Sequence, residues 1–280
     1  MRKLVYKTLL LSIIVLSIIM TSLNLHSWYF CKKNSFTLDR SKTILVLGDS
    51  HTECAINDKI LLNSANYSQS AQPYIQSYLM LRSFLQANTQ LNIVILYYGC
   101  DSLLYNTNNW SIDHFSTYWN LLKGTEIYYL FLKYPTIFFK INFDFHSALS
   151  IKNINDLTRF GGYFFLDRQK LNDPEWNKNA IFKSNKISYL QNEYLNKIII
   201  LCKENNLKLI LLSTPLYNKC NYTNCIQYLL YYKKYYKDVL FLDYSDMKLP
   251  DDYYGDVRHL NYKGATYFSQ YLLDNVFLKE

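Results

Sequence analysis

The chain has 280 residues, half of them hydrophobic, with only 7 Gly and 5 Pro, a composition that excludes a disordered or fibrous protein and suits one sizeable α/β domain with additions. Its net charge is +8, but many of the cations flank one N-terminal segment, and no dense stripe of Lys and Arg indicates nucleic-acid binding. The 28 tyrosines fit an AT-rich coding sequence or an aromatic, sugar-binding surface.

The first predicted element is an apolar segment that follows basic residues within positions 2–7. Residues 9–30 are about as long as a membrane helix, and Trp28 and Tyr29 lie where an interfacial aromatic belt falls. No small-residue cleavage site precedes Lys32, so we predict an uncleaved signal anchor at 1–33 rather than a cleaved signal peptide. The remainder, 34–280, is then expected close to the outer surface of the cell membrane, outside the cytoplasm.

The next element is a short apolar run, Ile44 to Leu47, which ends in Gly48-Asp49-Ser50. Such a run bounded by Gly predicts a buried strand. A serine where a buried strand gives way to a helix lies at the carboxyl edge of the sheet, where open α/β sheets bind ligands. The same three residues also form ordinary turns, so Ser50 becomes a candidate nucleophile only if the chain supplies a base.

Strands and helices then alternate along the chain. The pattern predicts a helix over 51–59, a strand at 66–68, a helix over 74–87 that begins after Pro73, and a strand over 91–98 that ends in Gly99-Cys100-Asp101-Ser102. After an aromatic-rich insertion at about 103–182, it predicts a helix over 186–205, a strand over 207–212, a helix over 226–236, a strand over 239–243 and a helix that begins at Asn261. This alternation predicts a parallel sheet covered on both faces, with the insertion lying over the active edge.

A candidate base lies directly before the last predicted helix. Asp256 and His259 are three residues apart on one loop, so the carboxylate can orient one ring nitrogen while the other serves as a base. Alone, this pair also fits a polar helix entry with a surface histidine. Together with Ser50, which the sheet would bring to the same edge, it predicts a catalytic triad.

At this point the sequence resembles a known family. Gly48-Asp49-Ser50 and Asp256-x-x-His259 are similar to the first and last blocks of the SGNH hydrolases, also called GDSL esterases, over roughly residues 42–275 without the insertion. The resemblance implies a flavodoxin-like three-layer α/β/α fold. It assigns Ser50 as the nucleophile, Asp256 as the orienting acid and His259 as the base. A membrane anchor before such a domain resembles bacterial envelope proteins that add or remove acyl groups on polysaccharides.

The resemblance is less close at the oxyanion hole, where Ser50, Ala71 and Asp101 would lie. Ala71 occupies the place of the family's Gly, yet it still has a backbone N–H to donate. Asp101 occupies the place of an Asn, and an ionised carboxylate accepts hydrogen bonds without donating any. Either Asp101 is protonated, another donor serves, or the third donor is absent.

The sequence therefore predicts a serine-dependent acyl-ester hydrolase or acyltransferase acting on acylated, in particular O-acetylated, cell-envelope glycan. The alternatives are a non-catalytic, membrane-anchored module that binds glycan or scaffolds a polysaccharide machinery, and a lipid esterase or thioesterase. No cofactor or metal is expected, because no Cys/His spacing resembles a zinc site and no Gly-rich phosphate loop is present.

The remaining candidates have more ordinary interpretations. His51 follows the nucleophile and is interpreted as a helix N-terminal side chain rather than a second base. Cys220 and Cys225 could close a small disulfide loop outside the cytoplasm. Cys54 and Cys100 are expected to be buried rather than reactive.

Overall fold

The computed structural model describes residues 2–33, 36–104, 116–142, 160–171, 186–217 and 226–278. Eight α-helices are described in these ranges: α1 Arg2–Lys33, α2 Ser50–Ala55, α3 Tyr74–Ala87, α4 Gly124–Lys133, α5 Pro135–Asn142, α6 Tyr189–Glu204, α7 Ile226–Tyr235 and α8 Tyr262–Leu272. Five strands are described: β1 Ile44–Leu47, β2 Ser64–Asn66, β3 Ile93–Tyr97, β4 Lys208–Ser213 and β5 Leu240–Asp243. Short 3₁₀ helices are Ser116–Leu121 and Asp251–Tyr253, and a π-helical turn, Leu273–Phe277, follows α8.

The described residues fall into two compact units. One lies within Met1–Ser35 and Ser111–Arg159 and holds α1, α4, α5 and the first 3₁₀ helix. The other lies within Phe36–Trp110 and Phe160–Glu280 and holds the sheet and the remaining helices. Within the ranges that the structure describes, no helix is long and apolar enough to cross a membrane.

The five strands form one parallel sheet in the order β2-β1-β3-β4-β5. This is the strand order of one of the two common doubly wound α/β folds. In that fold the direction in which successive strands are added to the sheet reverses between β1 and β3. Every neighbouring pair is parallel, with Ile44 of β1 opposite both Ser64 of β2 and Ile93 of β3. The prediction of a parallel α/β sheet is confirmed.

Both faces of this sheet are buried over β1 to β4, whereas the edge strand β5 is partly exposed. Alternate residues of a strand point to opposite faces, and one face packs Val46, Ile95 and Ile210 against Phe268 of α8. Their sequence neighbours on the other face, such as Leu45, are fully buried as well. The sheet is therefore covered on both sides, and its carboxyl edge is the part of it left for a site.

The structure moves two predicted boundaries. The helix predicted over 51–59 is α2, which stops at Ala55, because Ile56 takes an extended backbone and the N–H of Asn57 bonds the hydroxyl of Ser269 at 2.8 Å. The strand predicted at 66–68 is β2, Ser64–Asn66, whose residues pair with Ile44–Val46. Both shifts result from contacts with elements that are distant in sequence.

Two further predictions can be compared with the structure, and a third cannot. Asn261 is the N-cap of α8, and its side-chain oxygen accepts from the N–H groups of Lys263 and Gly264. Cys54 and Cys100 are buried, as predicted. The predicted Cys220–Cys225 loop lies outside the described residues.

Candidate active site

A sharp turn between β1 and α2 presents the candidate nucleophile. Gly48 has φ +150°, and a Cβ there would lie 2.4 Å from the Cβ of Tyr97, so this turn requires glycine. Asp49 then caps α2, because its carboxylate accepts the N–H of His51 at 2.9 Å. Ser50 is the first residue of the helix and lies directly beyond the carboxyl end of β1.

The predicted triad residues meet at this turn. Ser50 Oγ lies 2.8 Å from His259 Nε2. His259 Nδ1 lies 2.9 and 3.0 Å from the two carboxylate oxygens of Asp256. Residues 209 positions apart in the sequence thus form one hydrogen-bonded chain of hydroxyl, imidazole and carboxylate.

The surroundings of Asp256 determine which nitrogen of His259 holds the proton. Burial alone would raise the pKa of Asp256, but hydrogen bonds from His259, from the N–H of Arg258 and from the guanidinium of Arg168 hold it well below its ordinary value. Asp256 is therefore ionised and can only accept. His259 Nδ1 must donate to it, which leaves Nε2 free to accept the proton of Ser50 Oγ.

Two backbone N–H groups are candidate oxyanion donors. Ala71 has φ +59°, the left-handed conformation that glycine adopts without cost, so the turn keeps its shape although it carries a methyl group. Neither the N–H of Ala71 nor that of Ser50 bonds another group in the described part of the chain. Ala71, Gly48 and Asp49 also line a cavity of about 20 Å³, large enough for about one water molecule.

Asp101 lies in a different setting from the one that the family pattern implies. It is buried, and the carboxylates of Asp101 and Asp49 and the imidazole of His51 lie within 4.8 Å of one another. Tyr97 Oη donates to Asp101 Oδ1 at 3.4 Å. Imidazole and carboxylate are also metal-ligand types, but here His51 Nδ1 bonds Asp49 Oδ1 at 2.9 Å, so an internal ion-pair network explains the group.

No pattern in the sequence indicates the role of Arg168. It lies in residues 160–171, a described part of the predicted insertion that we call the strap. The guanidinium of Arg168 donates to Asp256 Oδ2. The N–H of Lys170 donates to the carbonyl of Gly255 at 2.8 Å. A basic residue inside an aromatic-rich insertion is an ordinary surface feature, and only the folded chain shows that it reaches the triad acid.

The other end of the strap contacts the nucleophile side of the site. The N–H of Phe164 bonds the carbonyl of Glu53 in α2 at 2.9 Å, and the N–H of Gly162 bonds the carbonyl of Asn66 in β2 at 2.6 Å. Phe165 stacks on Tyr262, the first residue of α8, with ring centroids 5.0 Å apart. The strap therefore links both halves of the triad.

Comparison with known proteins gives distant likenesses. A sequence model of a protein family matches residues 167–279, the part of the chain that contains Asp256 and His259. No curated protein sequence matches the chain significantly.

Solved structures give 17 matching chains. One, named a platelet activating factor from Streptococcus pneumonia, is 13% identical, with 98% of this chain and 99% of that chain covered and a TM-score of 0.44. A GDSL-like lipase from Bacteroides thetaiotaomicron is 11% identical, with 89% and 93% covered and a TM-score of 0.41. An acylhydrolase from Bacteroides fragilis is 12% identical, with 87% and 90% covered and a TM-score of 0.41. The chemistry of this chain has to be inferred from its own residues.

Proposed function

We propose that this protein is a serine-dependent acyl-ester hydrolase or acyltransferase that acts on O-acylated, in particular O-acetylated, glycan of the cell envelope. The observation that carries the chemistry is the hydrogen-bonded chain from Ser50 Oγ through His259 to Asp256. A serine hydroxyl is a weak nucleophile until an oriented base accepts its proton, and this arrangement supplies that base.

The reaction follows from the geometry. Ser50 Oγ attacks the ester carbonyl carbon as His259 Nε2 takes the hydroxyl proton, and Asp256 stabilises the imidazolium that forms. The N–H groups of Ser50 and Ala71 donate to the oxyanion of the tetrahedral intermediate. His259 then returns the proton to the departing alkoxide, which leaves as an alcohol. The acyl group on Ser50 passes to water in a hydrolase or to a sugar hydroxyl in a transferase.

A glycan substrate is supported by an exposed aromatic ring beside the loop that carries Asp256 and His259, which we call the triad loop. Phe165 is 60% exposed and stacks on Tyr262, three residues after His259. Aromatic faces with polar surroundings are suitable platforms for sugar rings. A lipid ester would use the same triad without needing this pair.

Membrane association is a further part of the proposal. Leu11 and Ile18 of α1 are more than 60% exposed, and other large apolar side chains of this helix are exposed as well. Apolar surface of this extent is favourably transferred from water to lipid. Association through α1 would hold the α/β unit near envelope substrates, outside the cytoplasm.

The triad is tested with the Ser50→Ala variant and a matched Ser83→Ala control on α3. We expect a fluorophosphonate probe to label the wild type and the control but not Ser50→Ala. We also expect kcat/KM for p-nitrophenyl acetate to fall at least ~10³-fold in Ser50→Ala, with an unchanged melting temperature.

Each other outcome has a defined meaning. Labelling of Ser50→Ala would place the nucleophile elsewhere. An unlabelled, inactive wild type that still binds acetylated glycan would favour the non-catalytic module. Release of free acetate from acetylated glycan, compared with its transfer to an added glycan acceptor, separates hydrolase from transferase.

A further inference from the structure

His51 has charged or titratable neighbours on several sides. The ring lies flat on Tyr97 of β3, with centroids 4.6 Å apart and planes within 5°. Its Nδ1 bonds Asp49, and Asp101 lies within 4.8 Å. The ring centroid of His259 is 5.1 Å away. His51 itself is only 3% exposed, so it is a buried histidine beside the catalytic one.

The two carboxylates of this cluster favour a protonated His51, which reduces their net negative charge. A buried carboxylate is costly without a counter-charge. Burial opposes a charged imidazole, and Arg258 opposes it as well, but Asp49 and Asp101 outweigh both and raise the pKa of His51 above its ordinary value. Burial raises the pKa of Asp101 too, while the charge of His51 works in the opposite direction.

We infer that His51 is a positioning residue, an imidazolium that acts as the counter-ion of Asp101 and so allows a buried carboxylate to lie within 4.8 Å of Asp49 and His51, the two residues that flank Ser50. This inference rests on the proposed function and extends it to a side chain outside the triad. It selects one of the three alternatives for Asp101. The carboxylate is an acceptor, neutralised by His51, and the oxyanion is stabilised by the two backbone N–H groups.

The test is a double-mutant cycle on His51→Gln and Asp101→Asn, with activity and urea unfolding both measured. We expect His51→Gln to lower kcat/KM for p-nitrophenyl acetate at least ~10-fold when Asp101 is present, and less than ~3-fold in the Asp101→Asn background. The folding equilibrium constant should show the same coupling, because the buried Asp101 carboxylate is left without its counter-charge only in the single His51 variant. The exposed pair Asp252→Asn and Lys263→Met is the control cycle, with coupling below ~3-fold expected.

A pH series distinguishes a charge effect from a packing defect. In His51→Gln, the ratio of variant to wild-type kcat/KM should rise as the pH falls, because Asp101 takes up a proton and its uncompensated charge disappears. A ratio that does not change with pH, or additive effects in both cycles, would overturn the inference. A different set of results would instead identify a protonated Asp101 as a donor. In that case His51→Gln keeps full activity, activity is lost at high pH, and Asp101→Asn abolishes that loss. If the wild type has no esterase activity, the unfolding cycle still tests the ion pair separately.

Discussion

At the scale of single residues, the site depends on which side chains surround the acid. Asp256 accepts from His259, from the N–H of Arg258 and from Arg168. These bonds use most of its acceptor capacity and prevent the carboxylate from rotating. The imidazole is therefore held in one orientation toward Ser50, and Arg168 acts on the triad through Asp256.

Arg168→Met should destabilise the fold by about 1.5–3 kcal/mol at pH 7, the range for a hydrogen bond to a charged group. Arg168 helps to hold the pKa of Asp256 low. A carboxyl group whose pKa is lowered by folding stabilises the protein above its unfolded pKa of about 3.9. This stabilisation is lost as the pH falls through the folded pKa. The unfolded chains titrate alike, so the difference in unfolding free energy between wild type and variant should shrink only as the pH falls through the folded pKa of Asp256, well below its ordinary value. Urea titrations at pH 7 and at about pH 2 measure it.

Lys170→Met is the control for this prediction, since it removes one positive charge from an exposed position of the same strap. We expect its unfolding free energy to differ from wild type by less than about 0.5 kcal/mol at both pH values. A loss of stability in Arg168→Met that is the same at both pH values would show that packing of the side chain, rather than its charge, is what matters.

At the scale of elements, the strap is the unexpected part of the site. It connects β2, α2 and the triad loop through backbone hydrogen bonds. The strap packs closely against β2 at Gly161. A Cβ on Gly161 would lie 2.6 Å from the ring of Tyr67 and 3.1 Å from the carbonyl oxygen of Asn66. Gly162 has a similar positive φ, but a Cβ there would meet nothing within 4 Å.

The two glycines form a matched pair of variants. Gly161→Ala and Gly162→Ala both place a methyl group at positive φ, which costs about 1–2 kcal/mol. Only Gly161→Ala adds a clash, so we expect it to be less stable than Gly162→Ala and to have a lower kcat/KM. Urea unfolding and ester hydrolysis measure the two variants. Equal stability and equal activity would show that the strap does not need its close packing against β2.

At the scale of the whole molecule, the residues of the proposed triad and the exposed apolar surface of α1 lie in different units. The sheet unit contains every residue of the triad, while α1 belongs to the other unit. A long helix with exposed Leu and Ile needs a partner, because exposed apolar surface of this size is unfavourable in water. A lipid surface is the partner that we propose.

Replacing Ile14 and Ile18 of α1 by Lys should move the full-length chain from floating vesicles to the soluble fraction, because both side chains are exposed in the structure and each charged group is costly to bury in hydrocarbon. Flotation of the protein with liposomes of neutral and of anionic lipid measures the effect. Thr8→Ala on the same helix is the control. Wild type that stays soluble with both kinds of liposome would contradict membrane association.

The sequence by itself determined the class of fold and predicted the three residues of the proposed triad. Apolar runs ending in polar turns are local patterns, and the parallel arrangement brings their carboxyl ends to one edge whatever lies between them. Ser50, Asp256 and His259 could therefore be named in advance, as could the cap at Asn261. The sequence also left three alternatives for Asp101, because the proton of a carboxyl group depends on neighbours that the linear order does not reveal.

Only the tertiary structure decided which distant groups meet. It brought Arg168 to Asp256, enclosed His51 between two carboxylates, and placed Ala71 in a left-handed turn. Each of these depends on contacts between segments far apart in the chain, where burial and charge act through space rather than along the sequence.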